Sequence, residues 1–428
     1  MTALHPPDSV LEIARRLEAH GYEAWCVGGA VRDAILGHRH LDWDLATSAT
    51  PQQVRELFGR RRTIPVGLEF GTVGVLDGAG VLHEVTTFRR DVRTDGRHAD
   101  VEFGASLDED LARRDFTINA IAYSPSRGEI RDPFGGRNDL TRRVVRAVGE
   151  PDARMAEDRL RALRAIRFAA RFGFSIDPAT LGAIERSAPY LGRLSAERVK
   201  QELEKTMDQV ARPAAALRLW KSTGALATLV PPLADVSDAT IAALDHLAMP
   251  GLPRRPSRRL VRIAVLFTEL DANEARRALG ALRFSRAEMN RIGELVASWR
   301  DVGAQMEVLT SGEQPSETDV RRWIAGVGRL DVSPFMRIAC ALWASRRDAG
   351  SPAPSIAQVR ALYRRMLAAA LRDPLEIADL AIDGDDLRSA GIPPGPQLGK
   401  ILQLLLEAVL EDPSRNTRDW LLREAKRH

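Results

Sequence analysis

Hydrophobic and polar positions follow two different periods along this chain. Within residues 1–150, short apolar or β-branched runs at Ala24–Val27, Asp42–Ala46, Thr72–Leu76 and Val81–Phe88 have the pattern of strands. Ala30–Leu36 and Pro51–Phe58 repeat at helical spacing between them, the second with Thr50 placed as N-cap and Pro51 in the first turn. Beyond about residue 155 the strand signal ends. Apolar positions then recur every three or four residues through 157–172, 180–190, 195–208, 213–224, 258–269 and 273–281. Pro-, Gly- and Ser-rich breaks at Met249–Ser257, Ser311–Ser316 and Asp348–Ser355 divide the helical part. The pattern predicts an α+β fold class: a mixed sheet with helices in a head, followed by all-helical domains. The boundaries expected are 1–150, 151–245, 246–347 and 348–428.

The chain has 428 residues, 44% hydrophobic and 28% charged, which excludes wholesale disorder. Two cysteines, Cys26 and Cys340, exclude a disulfide scaffold and a four-cysteine zinc site. The opening stretch lacks the basic start and apolar centre of a signal peptide, and no apolar run approaches the roughly 20 residues of a membrane span. A cytoplasmic protein with no membrane partner is expected. Net charge is only +4, but five of the 62 basic residues are lysine and the rest arginine. Guanidinium forks suit phosphates and base edges, so composition permits a nucleic-acid partner; codon bias explains it equally well.

Candidate chemistry begins at Asp42-Trp43-Asp44. On a strand, positions i and i+2 share a face, and two carboxylates so placed repel unless a cation lies between them. Hard oxygen ligands of this kind select Mg²⁺. Most Asp-x-Asp pairs are solvated surface, so the neighbourhood matters. Upstream, Val27-Gly28-Gly29-Ala30-Val31-Arg32-Asp33 runs from a strand through two glycines into a helix, the arrangement that lets backbone amides approach a phosphate. Glu84 on the fourth predicted strand is either a third acid or half of a cross-strand ion pair.

Arg113-Arg114-Asp115 has the charges to hold a ribose or a phosphate, with Phe116 and Ile118 packing behind it. Asp132-Pro133-Phe134-Gly135-Gly136 reads as a turn. The run Glu157–Phe168 reads as one helix, placing Asp158 and Arg161 three apart on one face. They form either an intrahelical ion pair worth about 0.2–0.5 kcal/mol or a two-residue reader of a base edge. A carboxylate only accepts and a guanidinium only donates. Together they match the amine and ring nitrogen of cytosine or adenine. Uracil and guanine would leave a group unpaired at about 1–3 kcal/mol. Arg164 and Arg167 continue the row.

In this order the segments resemble the class II tRNA nucleotidyltransferases and their relatives the bacterial poly(A) polymerases. The resemblance rests on GGAVRD at Gly28–Asp33, DWDLATSATP at Asp42–Pro51, EVTTFR at Glu84–Arg89, RRDFTINAIA at Arg113–Ala122, DPFGG at Asp132–Gly136 and EDRLRALRAIRFAARFGF at Glu157–Phe174. SAERVKQELEKTM at Ser195–Met207 and GIPPGP at Gly391–Pro396 extend it; it is weakest between about 225 and 375. The run Thr63–Val73 looks like the tRNA-directed branch rather than the poly(A) branch, and no His-Asp phosphohydrolase pattern accompanies it.

The resemblance implies a polymerase-β-like nucleotidyltransferase head over 1–150, a neck over 151–245, a body over 246–347 and a tRNA-binding tail over 348–428. It implies that Asp42 and Asp44 ligate metal, with Glu84 as a catalytic third acid. It implies triphosphate contacts from Gly29 and Arg32 and a sugar contact from Arg114. Asp158 and Arg161 would read the incoming CTP or ATP, with Arg164 and Arg167 lining the site. Arg90–Gly104 would be a flexible element used in switching from C to A addition. The expected reaction is attack of an RNA 3′-hydroxyl on the α-phosphorus of CTP or ATP, with two Mg²⁺ ions about 3.5–4 Å apart. The expected partner is tRNA, gripped by helical surfaces beyond residue 200 that include Arg254, Arg255, Arg258, Arg259 and Arg262. A poly(A) polymerase, a CC-adding or A-adding half-enzyme, and a non-catalytic RNA-binding protein are the alternatives. A dinucleotide-binding reading of GGAVRD fails for want of the third glycine and a ribose-binding acid.

Overall fold

The computed structural model describes residues 4–38, 42–94, 99–247, 256–312 and 314–428. The chain divides into two compact units, Met1–Thr206 with Ala215–Pro231, and Met207–Ala214 with Pro232–His428.

The first unit is built on a seven-stranded mixed sheet. Helix α1 (Asp8–Glu18) precedes β1 (Ala24–Val27), and α2 (Gly29–Ile35) follows after a single glycine. Then come β2 (Asp44–Thr47), α3 (Pro51–Phe58), β3 (Thr63–Gly67), β4 (Thr72–Leu76) and β5 (Leu82–Thr87). A two-stranded ribbon, β6 (Arg89–Thr94) and β7 (Ala99–Phe103), leads into α4 (Leu107–Ala112). Strand β8 (Ala122–Ser124) pairs with β1, and β9 (Glu129–Arg131) forms the edge beyond it, so the sheet order is β3-β4-β5-β2-β1-β8-β9. The β2–β5 pair is parallel and the others antiparallel.

Local chemistry accounts for these elements. Thr50 caps α3 by a reciprocal box with Gln53, and Pro51 occupies the first turn, as the sequence predicts. Strand β2 starts two residues later than the sequence suggests, yet the alternation holds: Trp43 is buried between exposed Asp42 and Asp44. The ribbon occupies most of the segment expected as a flexible loop; Arg90 on one strand pairs with Glu102 on the other. Residues 95–98 of that segment lie outside the described residues.

One sheet face carries Trp25, Val27, Ala46 and Phe88, which pack with Leu107 and Leu111 of α4 and with Ala120, Ala122 and Val148. Asp44 stands opposite Val27 in the ladder, so it shares this face but lies beyond the helix that covers it. The sheet therefore presents an uncovered end.

Helices α5 (Gly136–Arg142), α6 (Pro151–Glu157), α7 (Leu160–Phe172), α8 (Pro178–Ser187) and α9 (Ala196–Gln209) follow. A Cβ at Gly136 would lie 2.1 Å from the Thr117 carbonyl oxygen, so only glycine allows α5 to dock there. The single helix expected over 157–168 is broken. Asp158 has extended backbone (φ −147°, ψ 102°) and separates α6 from α7. Its Oδ1 accepts the Leu160 amide (3.0 Å), one of the donors that a new helix start leaves unpaired.

The second unit is helical, with long helices at Arg286–Ser311, Val332–Asp348, Ile356–Arg372 and Pro396–Glu411. Trp323, Trp343, Phe267 and Phe335 fill its core. Arg262, expected on a basic surface, is instead fully buried. It donates to the carbonyls of Met207 (2.6 Å), Val210 (2.9 Å), Ala211 (3.3 Å) and Leu247 (2.9 Å), satisfying backbone acceptors left over where helices end. Arg259 pairs with Asp208, and Arg254 and Arg255 lie outside the described residues.

Candidate active site

Asp42, Asp44 and Glu84 line one cleft of about 620 Å³ at the uncovered end of the sheet. Leu45 pairs with Val85 in the parallel β2–β5 ladder, which sets Asp44 beside Glu84. Asp44 opens to solvent at the cleft mouth, yet protein packed around its carboxyl withdraws enough water to push it up to about 6, helped by the negative charges of Glu84 and Asp42, with Arg114 pulling the other way. Among the described residues no group of three His, Cys, Asp or Glu side chains stands ready-made around a metal. The acids nonetheless fit a divalent cation: three carboxylates crowd one cleft, and among the described residues the Arg114 guanidinium offsets their repulsion at Asp44 only in part.

Gly28 joins β1 to α2 with φ +73°, and a Cβ there would sit 2.9 Å from Nη1 of Arg114. The turn after β1 therefore lies directly against that guanidinium. Arg114 and Arg113 both bind Asp110, a fully buried acid on α4. Burial raises the Asp110 carboxyl, but the charges of Arg114 and Arg113 outweigh it and hold it below the usual carboxylate range.

Arg32 is buried rather than extended into the cleft. It donates to Asn119 Oδ1 (2.5 Å) and Asp33 Oδ1 (2.7 Å), and its guanidinium lies 5.1 Å and 4.7 Å from the ring centroids of Phe168 and Phe172. It fastens α2 to α7. Gly29 heads α2 beside it.

Asp158 and Arg161 do not pair side chain to side chain. Arg161 donates from Nη1 to Glu157 Oε2 (2.6 Å) and to the Arg154 carbonyl (3.1 Å), and from Nη2 to the Arg113 carbonyl (3.1 Å). Asp158 Oδ2 accepts from Arg198 on α9 (2.7 Å). Arg164 donates twice to Asp115 Oδ2 (2.9 and 2.7 Å), while Asp115 Oδ1 accepts from Asn119 and the Phe116 amide. Arg167 is buried against Glu202 (2.7 Å). Three consecutive residues, Arg113, Arg114 and Asp115, thus connect the glycine turn and the acids to Arg161 and Arg164. Asp110, Asn119, Glu157, Arg198 and Glu202 are the members that sequence reasoning leaves unassigned. Arg198 and Glu202 act through partners 40 and 35 residues away, whereas Asp110 and Glu157 hold arginines within one helical turn.

Residues 24–146 match the model of the poly(A) polymerase head domain. Residues 173–236 match the RNA- and SrmB-binding region of polymerase A, and 343–425 match tRNA nucleotidyltransferase domain 2. The chain is 36% identical over 441 aligned residues to the CCA-adding enzyme of Geobacillus kaustophilus, covering 99% of each protein. The chain belongs to the CCA-adding enzyme family. The CCA-adding enzyme of Limosilactobacillus fermentum is 35% identical, with 96% and 95% coverage. Among solved structures, the Bacillus stearothermophilus CCA-adding enzyme in complex with CTP matches with a TM-score of 0.76 and 31% identity over 99% of both chains. The Thermotoga maritima CCA-adding enzyme complexed with tRNA shares the fold (TM-score 0.68, 22% identity). The family consists of nucleotidyltransferases, and membership implies dependence on a divalent metal ion. No helix among the described residues is long and apolar enough to cross a membrane.

Proposed function

We propose that this chain adds cytidylate and adenylate to the 3′ end of tRNA from CTP and ATP, releasing pyrophosphate, in the cytoplasm where those substrates are found. The observation that carries this reading is the Arg113–Arg114–Asp115 bridge, which joins an acid-lined cleft to a carboxylate–guanidinium pair fit to read a base.

In this reading Asp42 and Asp44 hold the metal, with Glu84 beside Asp44, and Mg²⁺ is the ion their hard oxygens suit. Once bound, the ion neutralises phosphate charge and makes the RNA 3′-hydroxyl more acidic. The protein's own residues do the rest. Gly28 and Gly29 leave room for phosphate at the start of α2. Arg114, anchored by Asp110, faces the sugar and phosphates. Arg32 fixes the turn from behind. Asp158 accepts the exocyclic amine of cytosine or adenine, and Arg161 donates to the ring nitrogen. Arg164 and Arg167 hold the wall of the site through Asp115 and Glu202. The test is stepwise extension of tRNA lacking its terminal CCA, with each nucleotide alone and in combination. Addition of C, C and A followed by a stop is expected. Open-ended A addition, or equal use of UTP and GTP, would overturn the reading.

A further inference from the structure

We propose that Tyr190, with Arg159 and Arg193 beside it, is a stacking platform for the unpaired base at the 3′ end of the RNA acceptor. The proposal rests on the reading above, in which that acceptor is tRNA. Tyr190 lies on the 3₁₀ helix Ala188–Arg193 that follows α8. Residues three apart eclipse one another on such a helix. Ala188 and Leu191 are buried, so the same period puts Tyr190 and Arg193 on the outside. The Tyr190 ring is 47% exposed, and the Arg193 guanidinium lies 5.3 Å from its centroid. A second guanidinium comes from the residue after Asp158. Arg159 donates from Nη1 to Ser187 Oγ (3.1 Å) at the end of α8, and its guanidinium lies 4.6 Å from the centroid of the same ring.

Charge sets this group apart. Arg154, Arg161, Arg164 and Arg167, close by in sequence, each meet a carboxylate. Among the described residues Arg159 and Arg193 meet none; their contacts are the ring and the Ser187 hydroxyl. An exposed aromatic ring with two uncompensated guanidiniums suits single-stranded nucleic acid. A base stacks on the ring or on a guanidinium plane, and the adjoining phosphate takes the N–H donors that the fold leaves over. A base-paired stem hides its base faces, so only an unpaired nucleotide can use the ring. Position agrees with this. Arg159 adjoins Asp158, so the platform begins one residue from the carboxylate assigned to the incoming base, where the RNA end that receives that nucleotide has to lie.

The experiment measures Kd, without nucleotide present, for tRNA truncated to the unpaired nucleotide that precedes CCA, with that nucleotide either intact or abasic. The wild type should bind the intact RNA roughly tenfold more tightly. Tyr190→Ala should bind the intact RNA roughly tenfold more weakly than the wild type and the abasic RNA equally well, so the preference disappears. Tyr190→Trp should keep it. Arg193→Gln should weaken both RNAs and reduce the slope of log Kd against log salt by about 0.7. KM for CTP should stay at the wild-type value in all three variants. A wild type that does not distinguish the two RNAs, or a Tyr190→Ala that keeps the preference or weakens both RNAs alike, overturns the proposal. So does a change in KM for CTP with Kd for RNA unmoved, which would make Tyr190 a prop for the Asp158 turn. If Tyr190→Ala does not fold, Tyr190→Leu keeps the apolar bulk, removes the aromatic face and gives the same comparison. Binding is read independently of which nucleotides are added. A wild type that shows the base preference yet adds adenylate without stopping overturns the CCA-adding reading and leaves the platform in place.

Discussion

The Arg161 guanidinium donates to the carbonyl oxygen of Arg113 at 3.1 Å, so the residue assigned to the ring nitrogen is fixed to the backbone next to Arg114. In the proposed reading, base and sugar recognition are thereby built on one peptide. A lysine at 161 could reach one of its three acceptors but not all of them. Arg161→Lys should reduce kcat/KM for CTP and ATP alike by about 10²-fold, corresponding to one or two charge-assisted hydrogen bonds. Single-turnover extension checks it, and equal activity to wild type would refute the role.

Asp44 gives a prediction with opposite signs for activity and stability. Its carboxyl is raised to about 6 in the folded protein, above the ordinary value of 3.8, by burial and by Glu84 and Asp42. A raised acid weakens the fold at neutral pH, and the penalty fades as pH falls through 6 toward 4. Without metal, Asp44→Asn should melt about 1–2 °C higher than wild type at pH 7.5, and the difference should shrink at pH 4.5 and vanish below the unfolded value. The same substitution should cost at least about 10³-fold in extension rate, with tRNA binding retained. Divalent cation should raise the melting temperature of the wild type and leave that of Asp44→Asn unmoved.

Asp115 behaves in the reverse sense. Burial raises its carboxyl, but the Arg164 charge and the Asn119 and Phe116 donors outweigh that and hold it below the ordinary range. Its contribution is complete above the unfolded value near 4 and is lost as pH falls through the lower folded one. Asp115→Ala should cost about 2–4 kcal/mol at pH 7, and the gap from wild type should narrow below pH 4 in urea melts. A gap that widens in acid would contradict the assignment.

Arg262 lies in the second unit and binds four carbonyls with no carboxylate salt bridge among the described residues. Arg262→Met should lower stability by about 3–5 kcal/mol, because buried acceptors lose their donors. CTP affinity of the folded variant, measured by calorimetry, should stay at the wild-type value. A selective loss of tRNA binding at full stability would restore it to the basic surface suggested by its neighbours in sequence.

Local signals were legible where the answer is local. The N-cap at Thr50 with Pro51 after it, the strand–glycine–helix at Gly28 and the alternation about Trp43 depend on neighbours a few residues away. The break at Asp158 was not legible, since the helix formers on either side of that one poor residue carry the apolar spacing straight across it. The partners that hold Asp158 there are the amide of Leu160 and the Arg198 guanidinium, the latter 40 residues on. Arg262 was misread for the same reason. An arginine run looks solvated until the carbonyls that need it are known. Glu202 gave no signal because it is defined by Arg167, 35 residues away.

Arg32, clamped by Asn119 and stacked on Phe168 and Phe172, works as a strut between the start of α2 and α7, the helix that carries Arg161. Packed struts of this kind resist stretching. The glycine turn after β1 and the helix of arginines are thereby kept at one spacing, and a substitution that shortens residue 32 would loosen both together.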